Sequence, residues 1–388
     1  MFVHMDRVAI VGAAMTRFGK RSGWVAELLT EAAEATIADA EIDRAQIDHV
    51  YVANMASGEF EGHAGIANRL VHDCQLIDAY CARVDQTSAS GGAGVYAGWQ
   101  AIASGAASCA LVVGAEKMTH RSTAEATDVI ASLTHPVEYQ HGVTLPSFAG
   151  LAARAYLHRY DAPRESLAHV AVKNHRNGVD NPHAHFQSAV DLETVLSSPM
   201  IADPLRLYDF CPISDGSAGL LLMPESLARE VTDRYVVITG IGGGTDTHVV
   251  HERPDPTRMG AVVTAGERAY AMAGRRPTEV DFAELHDMFT ILEFLQSEDL
   301  GFFEKGHAWE STMAGVTARD GRLPINPSGG LKSKGHPLGA SGVAQVVELV
   351  TQLRGEAGAR QVDGAVGLAC NVGGFGNCVT TTIVEAVS

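Results

Sequence analysis

Basic residues are scarce in this chain: 29 Lys and Arg stand against 46 Asp and Glu, for a formal net charge of −17. That imbalance argues against general nucleic-acid binding and favours solubility. Cysteine is sparse and unpaired in pattern, with residues 74, 81, 109, 211, 370 and 378 forming no CxxC. A zinc site, another bound metal and a disulfide framework are thereby disfavoured, and a reducing, cytoplasmic compartment is expected. No run of about 18 apolar residues exists, so no membrane span is expected. Val8-Ala9-Ile10-Val11-Gly12 is too short for the apolar core of a signal peptide and reads as a first strand. What the chain does have is bulk: 388 residues, 46% hydrophobic and 19% charged, enough for a large core and two or three domains.

Strand and helix patterns alternate along the chain, which predicts α/β layers. The pattern also repeats. Thr36-Ile37-Ala38-Asp39-Ala40 through Ile47-Asp48 to Met55 aligns with Ala269-Tyr270-Ala271-Met272-Ala273 through Val280-Asp281 to Met288, 233 residues later. Each copy reads as an alanine-rich helix, a polar turn and an apolar-alternating strand. A second pairing, offset by 248, sets Ser88 to Val95 against His336 to Val343. Between the copies, residues 120–212 carry more His, Arg and Pro and include a helical pattern over Gly150 to Tyr160. Gly216 to Met223 reads as a strand returning to the first half, and Tyr235 to Gly240 as the opening strand of the second. The resulting division is 1–119, 120–212, 213–232 and 233–388.

The two paired loops are rich in small residues and lead into apolar helical patterns, so each is expected to present its first side chain at a helix N-terminus. Unpaired N–H groups and the helix dipole there favour developing negative charge and lower a thiol's pKa. Ser88 and His336 are therefore expected to face each other. Taken one at a time, the residues have plainer readings: Ser88 as a helix cap, His336 as a loop histidine, His286 as a strand-end histidine, Cys370 as a small buried hydrophobe. Cys378 reads as structural.

Four segments in order change that weighting. Val84-Asp85-Gln86-Thr87-Ser88-Ala89-Ser90-Gly91-Gly92-Ala93-Gly94, Glu284-Leu285-His286-Asp287-Met288-Phe289, Asn326 to Gly330 running into Lys334-Gly335-His336-Pro337-Leu338-Gly339-Ala340, and Cys370-Asn371-Val372-Gly373-Gly374-Phe375-Gly376 together resemble the catalytic blocks of thiolases. The segments Gly114 to Thr119, Ala202 to Leu207 and Cys211 to Gly216 further resemble archaeal-type acetoacetyl-CoA thiolases. The resemblance implies two pseudo-repeated α/β halves in five layers, each with a five-stranded sheet around shared central helices. It also implies an inserted loop domain over the substrate. It implies an acyltransferase acting on coenzyme A thioesters, with no tightly bound cofactor and coenzyme A or acyl-CoA as substrate. Small residues around the loop point to a short acyl chain.

The same resemblance assigns roles, with one break. The nucleophile position is Ser88 where the family has cysteine. His336 would activate the nucleophile and bond the thioester oxygen, Cys370 would move the α-proton, and His286 would complete an oxyanion site with His336. The backbone N–H groups of Ser88 and Val372 would form the other. An alcohol needs a strong general base, and no Ser-His-Asp relay is legible. Three readings follow: an acetoacetyl-CoA thiolase whose cysteine was exchanged for serine in the laboratory, a natural relative performing retro-aldol or Claisen chemistry without an acyl-enzyme, and a non-catalytic scaffold subunit.

The negative charge bears on the substrate too, since coenzyme A is itself an anion. Arg275 and Arg276, or Lys332 and Lys334, are candidates to meet its phosphates; otherwise the basic contacts come from a partner. The resemblance implies a homodimer or dimer of dimers, formed through the alternating segment Tyr80 to Gln86. It also implies association with a protein carrying an OB-fold-type barrel and a zinc ribbon, and with a hydroxymethylglutaryl-CoA synthase.

Overall fold

In a computed structural model that describes residues 6–387, the apolar run Val8–Met15 forms strand β1 and is followed by helix α1 (Val25–Ala40). The helix buries Val25, Leu28, Leu29, Ala32, Ala33, Thr36, Ile37 and Ala40, the three-and-four spacing of an amphipathic helix. It stops where Glu41 turns left-handed. Then come β2 (His49–Ala53), β3 (Tyr80–Val84), α2 (Ser90–Ala103) and β4 (Ala110–Glu116). The next hundred residues add nothing to the main sheet; they hold α3 (Leu145–Arg159), α4 (Glu165–Val179) and a small ribbon of β5 (Met200–Ala202) with β6 (Leu205–Arg206). The chain returns as β7 (Gly216–Pro224) and starts its second half with β8 (Val236–Thr245) and α5 (Gly260–Ala273). That half continues through β9 (Phe282–Leu285), α6 (Thr290–Asp299), α7 (Leu338–Leu353), β10 (Val366–Gly373) and β11 (Cys378–Ala386).

The strand order β3-β2-β4-β7-β1-β8-β11-β10-β9 is a repeat read outward from one seam. At that seam β1 and β8 pair antiparallel through Val8–Ile238, Ala9–Val237 and Ile10–Val236. On either side the matching members are β7 with β11, β4 with β10 and β2 with β9, and the outer pairings β2–β4 and β9–β10 are both parallel. Helix α1 covers one half and α5 the other, while α2 and α7 pack on each other and against strands of both halves. The layers are therefore helix, sheet, helix, sheet, helix, as the resemblance implies. Central packing requires glycine: a Cβ on Gly91 of α2 would lie 2.6 Å from the backbone nitrogen of Gly342 in α7. No side chain fits where two backbones approach this closely.

The halves differ at their outer edges. The first has five strands; the second has four, and the place of the fifth is held by a single parallel bridge between Ala283 and Ile325. Ile325 is flanked by Pro324, which lacks an N–H, and by Asn326, whose φ of 57° leaves extended conformation. A ladder cannot propagate past such a pair. Asn326 instead caps the edge from its side chain, its Oδ1 accepting the Leu285 N–H at 2.8 Å. Among the described residues no helix is long and apolar enough to cross a membrane.

Candidate active site

The strand ends of both halves and the N-termini of α2 and α7 converge on a cavity of about 800 Å³. Much of its wall comes from the segment between β4 and β7, including Thr127, Leu145, Phe186, Leu207 and Phe210. Ser88 and His336 both line it.

Ser88 sits in the turn between β3 and α2, after Thr87, which is left-handed at φ 55°. It is not the helix cap: that position is Ala89, which makes no side-chain bond. Ser90 ties the loop instead, its hydroxyl accepting the Gln86 N–H at 2.9 Å and donating to the Thr87 carbonyl at 2.5 Å. The Ser88 hydroxyl is thus relieved of structural duty. It is 1% exposed and has no hydrogen-bond partner in the protein.

His336 lies between Gly335 and Pro337, the cap of α7. Its Nδ1 is 2.7 Å from the Ser341 hydroxyl, which itself donates to the Pro337 carbonyl at 2.9 Å. With that one hydroxyl proton committed, Ser341 accepts from Nδ1–H, and the lone pair of His336 is on Nε2. Burial without a carboxylate partner pushes its pKa down to about 3. The imidazole is therefore neutral, with a free acceptor atom.

His286 follows β9, and Gln296 of α6 clamps its backbone from both sides, accepting its N–H at 3.0 Å and donating to its carbonyl at 2.9 Å. Its ring tautomer is set by Asn371. The Asn371 Oδ1 accepts the Gly92 N–H at 2.9 Å, so its amide nitrogen is the group that donates to His286 Nδ1 at 3.0 Å and to the Ser88 carbonyl at 3.3 Å. His286 consequently carries its proton on Nε2, which has no partner in the protein. Burial and the neighbouring His336 hold its pKa well below the ordinary value. The two rings meet edge to face, centroids 4.8 Å apart and planes at 89°. One presents an acceptor, the other a donor.

Cys370 does not join them, and its expected role in moving the α-proton is corrected here. On β10 the even residues Leu368, Cys370 and Val372 pack in the apolar cluster with α5 and α6, whereas Ala369 and Asn371 face the central helices. The period of two turns the thiol away from the cavity. Its sulfur accepts from Thr381 Oγ1 at 3.8 Å, and burial pushes its pKa up to about 12. The period-two pattern of Leu368 to Gly373 was the signal for Asn371, which sequence reasoning left without a role. The sulfur-bearing residues that do line the cavity are Met288 and Cys211.

Four cations are also corrected as contacts for coenzyme A. Lys334 is fully buried and pairs with Glu284 at 3.2 Å. Lys332 is 2% exposed and donates to the Phe210 carbonyl at 2.6 Å. Arg275 and Arg276 are not among the residues lining the cavity and form surface pairs with Glu385 and Glu279. The exposed cations on the cavity wall are instead Lys20 and Arg121. Asp287, beside His286, is also turned to structure: buried, it accepts from Asn174 Nδ2 at 2.6 Å and from the Leu331 N–H at 2.7 Å. No group of three or more potential metal ligands occurs among the described residues.

Comparison with known proteins bears on the family and the fold. The thiolase N-terminal domain model matches residues 8–226 and the thiolase C-terminal domain-like model residues 242–386. An acetyl-CoA acetyltransferase of Methanothermobacter thermautotrophicus is 42% identical over 98% of this chain and 99% of its own length. Another, from Methanocaldococcus jannaschii, is 37% identical over 98% and 99%. Among solved structures, the Ltp2-ChsH2(DUF35) aldolase superposes with a TM-score of 0.85 at 25% identity, covering 98% of each chain.

Proposed function

The chain belongs to the thiolase family and is a thiolase-like acyltransferase by descent, and on that premise we propose that it cleaves or forms the Cα–Cβ bond of a short acyl-CoA through an enolate, without a persistent acyl-enzyme. The observation that carries this reading is the pair of opposite tautomers at His286 and His336 beside a serine. In the cleavage direction, a 3-hydroxyacyl-CoA gives its hydroxyl proton to His336 Nε2 as the Cα–Cβ bond breaks. The electron pair moves into the thioester as an enolate, and its oxygen takes the His286 Nε2–H bond. The carbonyl product leaves, and Cα is protonated to give the shorter acyl-CoA. No step of this sequence needs a covalent intermediate.

An acyl-serine route is less well supported. Ser88 is an alcohol, and the partner of His336 Nδ1 is the neutral Ser341, where a serine hydrolase has a carboxylate to orient and stabilise the imidazolium. The naming of the relatives as acetyl-CoA acetyltransferases favours acetyl transfer as a second reading. Lys20 and Arg121, in place of the buried lysines, are the groups proposed for the phosphates of coenzyme A. The backbone N–H groups of Ser88 and Val372 stay as the proposed second oxyanion site, since the end of β10 abuts the Gln86–Ser88 turn.

The test is product analysis by liquid chromatography with a panel of short 3-hydroxyacyl-CoA and 3-ketoacyl-CoA esters. The reading expects hydroxyacyl esters to yield an aldehyde or ketone and a shorter acyl-CoA, with no free coenzyme A required. Cleavage of ketoacyl esters only, and only with free coenzyme A, favours acetyl transfer instead.

A further inference from the structure

With Cys370 turned into the apolar cluster, the proton that must reach the enolate carbon needs another donor, and the cavity offers one thiol. Cys211 lies on its wall with Ser88, His336, Met288 and Phe289. The segment bearing it is fixed from three sides. The Cys211 N–H donates to the Met288 carbonyl at 2.9 Å, the Phe210 carbonyl accepts Lys332 Nζ at 2.6 Å, and the Phe210 ring meets Phe289 edge to face at 5.3 Å. The sulfur is thereby locked to the block that carries His286. An independent sign that this wall faces a ligand is the pair of unpartnered buried atoms in the same cavity, Ser88 Oγ and His336 Nε2.

We propose that Cys211 is a catalytic residue, the thiol that donates the proton to the enolate carbon in cleavage and, as thiolate, removes it in the reverse direction. The inference rests on the enolate reading above. The S–H bond breaks, its proton forms the new Cα–H bond, and the electron pair stays on sulfur as a thiolate, which is reprotonated from solvent after product leaves. The hydroxyl proton taken by His336 returns to solvent, so the ledger closes. Lys332 is placed to receive the transient charge. It spends one of its three donors on the Phe210 carbonyl, sits 5.8 Å from the Tyr208 ring centroid, and exerts its positive charge on the Cys211 thiol. Burial pushes that thiol up to about 12 and pulls the Lys332 amine down to about 8, each partly offset by the other. A thiol so placed rests in the protonated form, as a proton donor must.

The test is exchange of the α-protons of acetyl-CoA and propionyl-CoA in D2O, followed by proton NMR, for the unmodified protein and for Cys211→Ala, Cys211→Ser and Cys370→Ala. The unmodified protein and Cys370→Ala are expected to exchange at similar rates. Both Cys211 variants should slow by at least about 100-fold, the lower range for a lost general acid, with thioester Kd and Tm close to those of the parent. Exchange within about threefold of the parent in Cys211→Ala overturns the assignment, as does a loss confined to Cys370→Ala. Absence of exchange in the unmodified protein sinks the enolate reading itself, and the role of Cys211 with it. If Cys211→Ala loses stability, the near-isosteric Cys211→Ser decides.

Discussion

Two buried histidines packed edge to face carry their protons on different nitrogens because their Nδ1 atoms meet different partners. Asn371 donates a hydrogen bond to one ring and Ser341 accepts one from the other. Removing the donor is expected to act on the transition state more than on binding: His286→Ala should lower kcat by about 10²–10³ and leave KM within a few-fold. A change confined to KM would contradict the oxyanion role. His336 also writes itself into stability. Its folded pKa of about 3 lies below the ~6.5 of an unfolded imidazole, so the unfolded chain takes up the proton first as pH falls. The contribution is complete above about pH 6.5 and is lost on descent toward pH 3, at about 1.4 kcal/mol per pH unit. Urea unfolding at pH 7 and pH 5 should show His336→Asn losing less stability than the parent by on the order of 2 kcal/mol. Equal losses would mean that the ring is not buried neutral.

Among elements, the central pair α2 and α7 positions everything else. Glu116 at the end of β4 holds α7 from below, its buried carboxylate accepting the Gly339, Met55 and Ala56 N–H groups within 3.1 Å. At the crossing itself, Gly91→Val drives a side chain into the Gly342 backbone, which has no room to give. We expect a loss of at least about 1–3 kcal/mol in thermal or urea unfolding; a variant of parental stability would show that the helices can separate. How much of this was legible in the sequence depends on range. The repeat was, because Ile47 with Val280 and Gly91 with Gly339 are local patterns copied twice. The missing fifth strand was not read, although Pro324 announced it. The direction of Cys370 was misassigned because a family block records spacing, whereas strand parity decides the face. Lys334 was available as a phosphate contact in the sequence because its carboxylate, Glu284, is 50 residues away.

At the scale of the molecule, charge and edges set the remaining expectations. A chain of net charge −17 that takes an anionic substrate must guide it locally. Lys20→Glu should raise KM for acyl-CoA several-fold at low ionic strength, less so at high salt, and leave kcat unchanged. No effect on KM would place the phosphates elsewhere or on a partner protein such as the proposed OB-fold and zinc-ribbon subunit. Strand β3 ends the sheet with its outer edge open and Tyr80 exposed, so we propose that a second copy pairs there. Light scattering is expected to give at least a dimer at micromolar concentration, and a stable monomer would refute it. The central question is whether carbon–carbon chemistry proceeds here without an acyl-enzyme. Intact-protein mass spectrometry after incubation with acetyl-CoA asks this directly, applied to the unmodified chain and to Ser88→Cys. We expect no acetyl adduct on the unmodified chain under conditions in which α-proton exchange proceeds, and a stoichiometric acetyl adduct on Ser88→Cys, because the proposed site already sets the loop, the helix N-terminus and His336 around position 88. Rapid acetylation of Ser88 in the unmodified chain would contradict it.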